Sequence, residues 1–278
     1  MATITDSGCA CTLGVHIATD RGNVRTNNED RAAVVYPQSE QMQRERGVLL
    51  VLADGMGGYN SGEVASAMAV DGVAQVFFDG LGSIPDRLKE AFRVTNSAIS
   101  WAGQAEANKG MGTTCTAVLV LGTDLYVAHV GDSRAYCLND GQLTPLTTDQ
   151  TYVQYLVRSG TIGFDEAMKH PKRNLLMQAL GVSETVTPEI AQKQRFLAPG
   201  NVIMLCSDGL YEYLADEEIA AYLRDEAVLD RVAQEMVDEA KRRGGHDNIT
   251  VLLARVGPYG HTSGLKVTTE MHPDRISK

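Results

Sequence analysis

Short apolar runs separated by polar turns recur along most of the chain. They cover residues 13–19, 31–36, 47–53, 113–121, 124–130, 133–138, 201–207 and 248–256. Most are rich in β-branched residues and are bounded by Gly, Asn or Asp, which is typical of β-strands. The segment GTDL, residues 122–125, joins two of these runs. We therefore expect those two strands to form a hairpin.

Four further segments carry apolar residues at helical spacing, namely 61–78, 85–105, 216–223 and 226–243. The second opens with Pro85 and Asp86, a common helix start. The last ends with Arg242 and Arg243 before two glycines. Basic residues suit the negative end of the helix dipole, and glycine suits a helix stop. The pattern therefore predicts helices in all four segments.

The order of these elements predicts the fold class. Strands come first, then two helices, more strands and finally helices, which indicates an antiparallel α+β domain rather than a βαβ alternation. We expect a four-layer α/β/β/α sandwich, with two antiparallel sheets packed face to face and flanked by helices. Residues 1–256 would form this one domain. The less regular segment 147–188, called the flap below, would be an insertion or lid, and 257–278 a loose polar tail.

Composition disfavours several classes of partner. The net charge is −10 over 278 residues, so nucleic acid and anionic membranes are poor partners. No apolar run reaches the roughly 18 residues that span a bilayer, and the first residues lack the pattern of a signal peptide. The five cysteines are odd in number, and Cys115, Cys137 and Cys206 lie in apolar runs as buried thiols would. We therefore expect a cytoplasmic protein without membrane insertion, in a reducing compartment.

Acidic residues stand where several predicted strands begin or end. Asp54 and Asp208 each follow an apolar strand and precede Gly, Asp132 occupies a tight turn, Asp247 precedes a strand, and Glu29 and Asp30 precede another. Any one of these sites has an ordinary explanation as a turn residue. As a set they suggest carboxylates that converge, and converging carboxylates stay ionised only around a cation.

Oxygen ligands without clustered His or Cys favour Mg²⁺ or Mn²⁺ over zinc. Asp54 is placed to bridge two ions, and Gly55 can bring its carbonyl to one because no side chain blocks the approach. Two such ions activate a water molecule and offset charge on a phosphoryl group. Arg25 could bind the phosphate through its guanidinium fork. The alternative for Arg25 is a surface ion pair with Glu29 or Asp30.

Six motifs in order now identify a resemblance: RTNNED, ADGMGG, GTT, VGDSRAY, SDGL and HDNIT. The chain resembles the metal-dependent protein phosphatases of type 2C, the PPM family, from about residue 14 to 256. DGMGG and the short connections are similar to bacterial members. The resemblance implies hydrolysis of phosphoserine and phosphothreonine in proteins, by a water that bridges two Mg²⁺ or Mn²⁺ ions per subunit.

The resemblance also implies a role for each matching residue. Asp54 and Gly55 would bind metal together with Asp208 and Asp247, while Glu29 and Asp30 would act through metal-bound water. Arg25 would hold the phosphate, with Arg25 and Asp30 as the catalytic pair. Asp132 and Asp208 match a third, weaker ion site, and Asn248 would order the loop around Asp247. The flap matches a variable segment that influences substrate choice.

One departure leaves the general acid open. Met56 stands where animal members have a His proposed to protonate the leaving alcohol. His170 in the flap is a candidate replacement, although we favour an ordinary loop histidine there, and a metal-bound water would serve equally well.

The sequence leaves three alternatives open. They are a phosphatase for small phosphoesters, a pseudophosphatase that binds phosphoproteins without cleaving them, and a carboxylate-metal nuclease, which the acidic charge disfavours. The expected partners are Ser/Thr-phosphorylated proteins, including a cognate Ser/Thr kinase, and we expect a monomer.

Overall fold

The computed structural model describes residues 11–37, 39–57, 61–193, 196–224 and 228–259. Most of the predicted polar tail, together with Cys9 and the last glycine of the DGMGG motif, lies outside these ranges. Residues 257–259 were expected to belong to that tail, but they form the end of the last strand.

The strands follow the predicted apolar runs closely. In chain order they are β1 (Cys11–Asp20), β2 (Asp30–Val35), β3 (Val48–Met56), β4 (Gly112–Thr113), β5 (Cys115–Leu121), β6 (Asp124–Val130), β7 (Arg134–Asn139), β8 (Gln142–Pro145), β9 (Glu189–Lys193), β10 (Val202–Cys206) and β11 (Ile249–Tyr259).

The helices are α1 (Glu40–Arg46), α2 (Ser61–Asp79), α3 (Ile84–Ala102), α4 (Tyr152–Arg158), α5 (Phe164–Met168), α6 (Asp208–Tyr211), α7 (Asp216–Arg224) and α8 (Leu229–Arg243). As expected from the sequence, α3 has Pro85 in its first turn, and α8 ends in basic residues followed by Gly244. The Ser83 side chain caps α3 by accepting a hydrogen bond from the backbone N–H of Asp86.

Two antiparallel sheets form the centre of the molecule. One has the strand order β1-β11-β10-β7-β8, and the other has the order β2-β3-β5-β6-β9, with β4 paired to β3. The predicted hairpin is present, since β5 pairs antiparallel with β6 from Cys115–Val130 to Leu121–Asp124. The α+β prediction is therefore confirmed.

Three apolar layers show how the sheets and helices stack. Alternate residues of β3 face opposite ways: Leu49 and Val51 pack with α2 and α3, whereas Leu50 and Leu52 pack against the other sheet. On the far side, β10 and β11 pack against α7 and α8 through residues such as Met204 and Met236. Both faces of β3 are therefore buried, which explains its uninterrupted apolar sequence.

Several elements carried no clear signal in the sequence. β8 and β9 are the outer strands of their sheets and contain polar residues, because one edge of each lies in solvent. α1 is polar apart from Met42, and α6 is a single turn that starts at Asp208. The flap contains α4, α5 and irregular chain, as its mixed composition suggested. Within the described residues, no helix is long and apolar enough to cross a membrane.

Candidate metal centre

The two sheets bring acidic residues together at one end of the sandwich. The register of β2 and β3 places Asp30 directly opposite Asp54. Asp30 also reaches the other sheet, since its Oδ2 accepts a hydrogen bond of 2.7 Å from the hydroxyl of Ser207, the residue before Asp208. The same hydroxyl accepts a hydrogen bond from the backbone N–H of Thr250. Ser207 therefore connects the start of β2 in one sheet to the end of β10 and the start of β11 in the other.

Asp208 and Asp247 approach each other from neighbouring strands. Asp208 opens α6 directly after β10, and Asp247 lies just before β11, which pairs with β10. A side chain at Gly209 would overlap the backbone carbonyl of Asn248, so the two turns are in close contact. The pKa of Asp208 is raised well above its usual value, first by burial and then by the negative charges of Asp132 and Asp247.

Gly55 occupies a position that no other residue could fill without moving the backbone. A Cβ at Gly55 would overlap the carbonyl oxygen of Gly62 at the start of α2 and would crowd the carbonyl of Glu29. The backbone N–H of Gly55 donates to that Glu29 carbonyl at 3.1 Å. The backbone after Asp54 is thus packed directly between the Glu29 loop and the first turn of α2.

Asp132 lies in the turn between β6 and β7, and it is 7% exposed. Gly131 precedes it with a φ of +110°, a conformation that favours glycine. The hydroxyl of Tyr211 in α6 donates to the backbone carbonyl of Asp132 at 3.1 Å. This bond links the Asp132 turn to the helix that begins with Asp208.

Burial and mutual repulsion raise the pKa values of these carboxyl groups. Burial is the largest cause for each of them: it raises the pKa of Asp30 to about 6 and that of Asp132 to about 7. The pKa of Asp54 is raised well above its usual value by burial and then by the charges of Asp30 and Asp208. Such a cluster is costly when ionised unless a cation neutralises it.

Two buried oxygen atoms bear on whether this cluster fits cations. Oδ1 of Asp30 and Oδ1 of Asp208 are buried without a hydrogen-bond partner. Buried polar atoms are rarely left unpaired, so Oδ1 of Asp208 suits a metal ligand and Oδ1 of Asp30 suits a partner of a metal-bound water. The donor set of carboxylates and a glycine carbonyl fits a hard ion such as Mg²⁺ or Mn²⁺.

The carboxylates nevertheless do not form a complete coordination site. Among the described residues, no three His, Cys, Asp or Glu side chains are grouped closely enough to coordinate one ion as they stand. Repulsion between carboxylates opposes closer approach without a cation, and Arg25 already neutralises Asp247. Cation binding would therefore require small side-chain movements at this end of the sandwich.

Arg25 has a different partner from the ones that its sequence neighbours suggested. Its Nη2 donates to Oδ2 of Asp247 at 2.6 Å, rather than pairing with Glu29 or Asp30. This hydrogen bond is the largest cause of the raised pKa of Arg25. The Arg25 side chain is 52% exposed, so a phosphate from solvent can reach it.

Asn248 holds the loop that carries Arg25. Its Nδ2 donates to the carbonyls of Arg21 and Asn27, and its Oδ1 accepts from the backbone N–H of Glu29. These three bonds span the loop on both sides of Arg25. The sequence suggested a role for Asn248 at the Asp247 loop, and its hydrogen bonds extend to the Arg25 loop as well.

His170 makes its described contacts within the flap. Its Nδ1 accepts from the backbone N–H of Lys172, and its ring lies 6.0 Å from that of Tyr152. None of its described contacts reaches the carboxylates, so the geometry gives no support to His170 as a general acid.

Sequence reasoning missed two residues that organise the site. Ser207 precedes Asp208 and bonds Asp30, and Tyr211 lies three residues after Asp208 and bonds the Asp132 turn. A helix over residues 208–211 would have placed Tyr211 near the Asp132 turn. Four residues, however, are too few to give a detectable helical pattern of apolar positions in the sequence.

Comparison with known proteins gives consistent results. The family model described as "Protein phosphatase 2C" matches residues 24–253. Serine/threonine protein phosphatase PstP of Mycobacterium tuberculosis is 42% identical over 87% of this chain, which covers 45% of that protein. Serine/threonine phosphatase stp of Listeria monocytogenes is 34% identical, with 84% of this chain and 92% of that protein covered.

Solved structures agree in fold. A crystal structure of M. tuberculosis PstP/Ppp matches with a TM-score of 0.77 and 40% identity, covering 88% of this chain and 99% of that one. The catalytic domain of PstP in complex with two manganese ions matches with a TM-score of 0.75 and 39% identity, covering 90% and 100%. With the family model matching most of its length and these relatives beside it, the chain belongs to the protein phosphatase 2C family.

Proposed function

We propose that this protein hydrolyses phosphoserine and phosphothreonine in proteins with a pair of divalent cations. The observation that carries the proposal is the Asp30–Asp54 pair, which places two carboxyl groups opposite each other beside Asp208, with unpartnered oxygens on Asp30 and Asp208. The PstP catalytic domain, which binds two manganese ions, supports the same number here.

Each residue has a defined place in this proposal. Asp54, Gly55, Asp208 and Asp247 would hold the cations directly, Glu29 and Asp30 would act through water, and Asp132 with Asp208 would hold a third, weaker ion. When bound, the cations lower the pKa of a water and offset charge on the phosphoryl group. The buried carboxyl groups supply the fixed negative charge that attracts and positions them.

Arg25 would bind the phosphate of the substrate. Its guanidinium already lies beside Asp247, and its exposed side can receive two phosphate oxygens in a forked arrangement. Asn248 would act through Arg25, since it orders the loop on both sides of that residue. A substrate oxygen would then replace the Asp247 carboxylate as the partner of the guanidinium.

The substrates would be phosphoproteins in the cytoplasm, together with the Ser/Thr kinase that modifies them. Three described cysteines are buried as free thiols, which fits a reducing compartment. Asp54, Asp208 and Asp247 are all present, and this favours an active enzyme over a module that only binds phosphoproteins.

A chelation experiment tests the proposal. Protein treated with a chelator is assayed on a phosphothreonine peptide before and after Mn²⁺ or Mg²⁺ is restored, with Asp208→Asn as the matched variant. We expect turnover only with the cation and only in the unsubstituted protein. Turnover that ignores the cation would contradict the metal centre. Hydrolysis of small phosphoesters alone would contradict the protein substrate.

A further inference from the structure

The flap carries a run of cations that the proposed chemistry does not use. Lys169, Lys172 and Arg173 lie within five consecutive positions of a chain whose net charge is −10. All three side chains are exposed. Lys172 lies 5.6 Å above the ring of Tyr152, and Arg173 is 4.0 Å from Glu212. Exposed cationic side chains on an acidic protein attract anionic groups that much of the remaining surface repels.

The flap is fixed around the carboxylate cluster at three points. The backbone N–H of Gln150 donates to the carbonyl of Gly131, next to Asp132. The side chain of Asn174 donates to Glu212, which directly follows α6. Leu180 pairs with Thr113, which in turn pairs with Gly55.

These attachments fix the position of the cationic run. Asn174 directly follows Arg173, and its bond to Glu212 holds positions 169–173 next to the helix that begins with Asp208. The end of the run therefore lies next to Glu212, which follows the helix that begins with Asp208.

Exposed apolar side chains are concentrated in the same segment. Six of the eleven large exposed apolar residues found in the described ranges belong to the flap, so this segment offers apolar side chains to a partner beside its cations. Met168, which is 63% exposed, directly precedes Lys169, and Leu175 and Met177 follow the cations. Flexible methionines adapt to varied partner surfaces.

We infer that the flap binds an acidic segment flanking the phosphorylated residue of the substrate, with Lys169 and Lys172 as the charged contacts. This inference rests on the proposed function. A short acidic peptide matches three cations beside exposed apolar groups. A long polyanion such as nucleic acid does not, because the rest of the protein is acidic.

Two phosphothreonine peptides test the inference. They have equal length, and one carries three Asp residues beside the phosphothreonine where the other carries three Ser. Their kcat/KM values are compared in the unsubstituted protein, in Lys169→Glu and Lys172→Glu, and in Lys89→Glu. Lys89 lies exposed on α3, outside the flap, and its substitution makes the same change in net charge.

We expect a preference for the acidic peptide that falls roughly three- to tenfold in each flap variant and weakens with added salt. The preference should persist in Lys89→Glu, and hydrolysis of p-nitrophenyl phosphate should not change in any variant. Equal kcat/KM values for both peptides, or an equal loss in Lys89→Glu, would overturn the inference.

Binding of the same peptides, labelled and followed by fluorescence anisotropy, separates this inference from the proposed function. If neither peptide is dephosphorylated, the proposed function fails. The Kd of the Ser peptide divided by that of the Asp peptide then still decides whether the flap selects acidic segments. A ratio above one that falls in Lys169→Glu supports docking of the acidic segment. A ratio of one refutes it.

Discussion

Asp30 of β2 lies directly opposite Asp54 of β3, and its second carboxylate oxygen accepts a hydrogen bond from Ser207, which directly follows β10 of the other sheet. One acidic residue thus joins the ends of both sheets. The same arrangement leaves its Oδ1 buried without a partner. The fold therefore concentrates negative charge at one end of the sandwich, where a cation would relieve it.

Replacing Asp54 with Asn should remove activity without unfolding the protein. We expect kcat to fall at least about a hundredfold, because a charged ligand in a preorganised site is lost. Mn²⁺ should raise the unfolding temperature of the unsubstituted protein but not that of Asp54→Asn, since only the native state binds the ion. Thermal melts with and without Mn²⁺ measure this, and activity retained in the variant would refute the assignment.

The stability of the chelated protein should fall as the pH rises. The folded-state pKa values of Asp30 and Asp132 are raised by burial to about 6 and about 7. Raised carboxyl pKa values favour folding most below the unfolded pKa of about 4, and this contribution is lost as pH rises through about 6 to 7.

Urea unfolding between pH 5 and pH 8 in the presence of a chelator checks this direction. Asp132→Asn should flatten part of the slope, because its amide does not titrate. Saturating Mn²⁺ should reverse the slope, since the ion binds the ionised carboxylates. Stability that rises with pH in the chelated protein would contradict the prediction.

Substituting Arg25 with Ala should weaken substrate binding more than catalysis. Loss of a guanidinium that binds phosphate through two bonds should raise KM roughly tenfold. Arg21→Ala is the matched control, because it removes an exposed arginine from the same loop. Steady-state kinetics on a phosphothreonine peptide would show the difference, and unchanged KM and kcat would make Arg25 a partner of Asp247 only.

Asn248→Ala should act through the Arg25 loop. It removes three hydrogen bonds from a residue that is 5% exposed, which should cost about 1–3 kcal/mol of stability. Asn248→Asp keeps the acceptor for Glu29 but loses both donors. If Asn248 positions Arg25, KM should rise in both variants along with the loss of stability. A variant that loses stability at unchanged KM would limit Asn248 to a structural role.

The sequence alone predicted most of the architecture. β3 and β10 are buried on both faces, so their apolar runs were unbroken, and α3 and α8 carried recognisable ends. β8, β9 and α1 lacked such signals because they are polar or lie at sheet edges, where burial does not select residue type. The regular spacing of apolar residues arises because one face of an element is buried. Elements that bury little surface therefore cannot be recognised from it.

The candidate site, like the fold, could be predicted only in part from the sequence. The sequence indicated which carboxylates stand near strand ends, because an apolar run followed by Asp is visible in it, although β3 continues past Asp54 to Met56. Only the tertiary structure decided their partners: Arg25 bonds Asp247, which is 222 positions away, and Asp30 bonds Ser207, which is 177 positions away. Sheet register and sheet packing set these contacts, and neither is encoded in any local stretch of the chain.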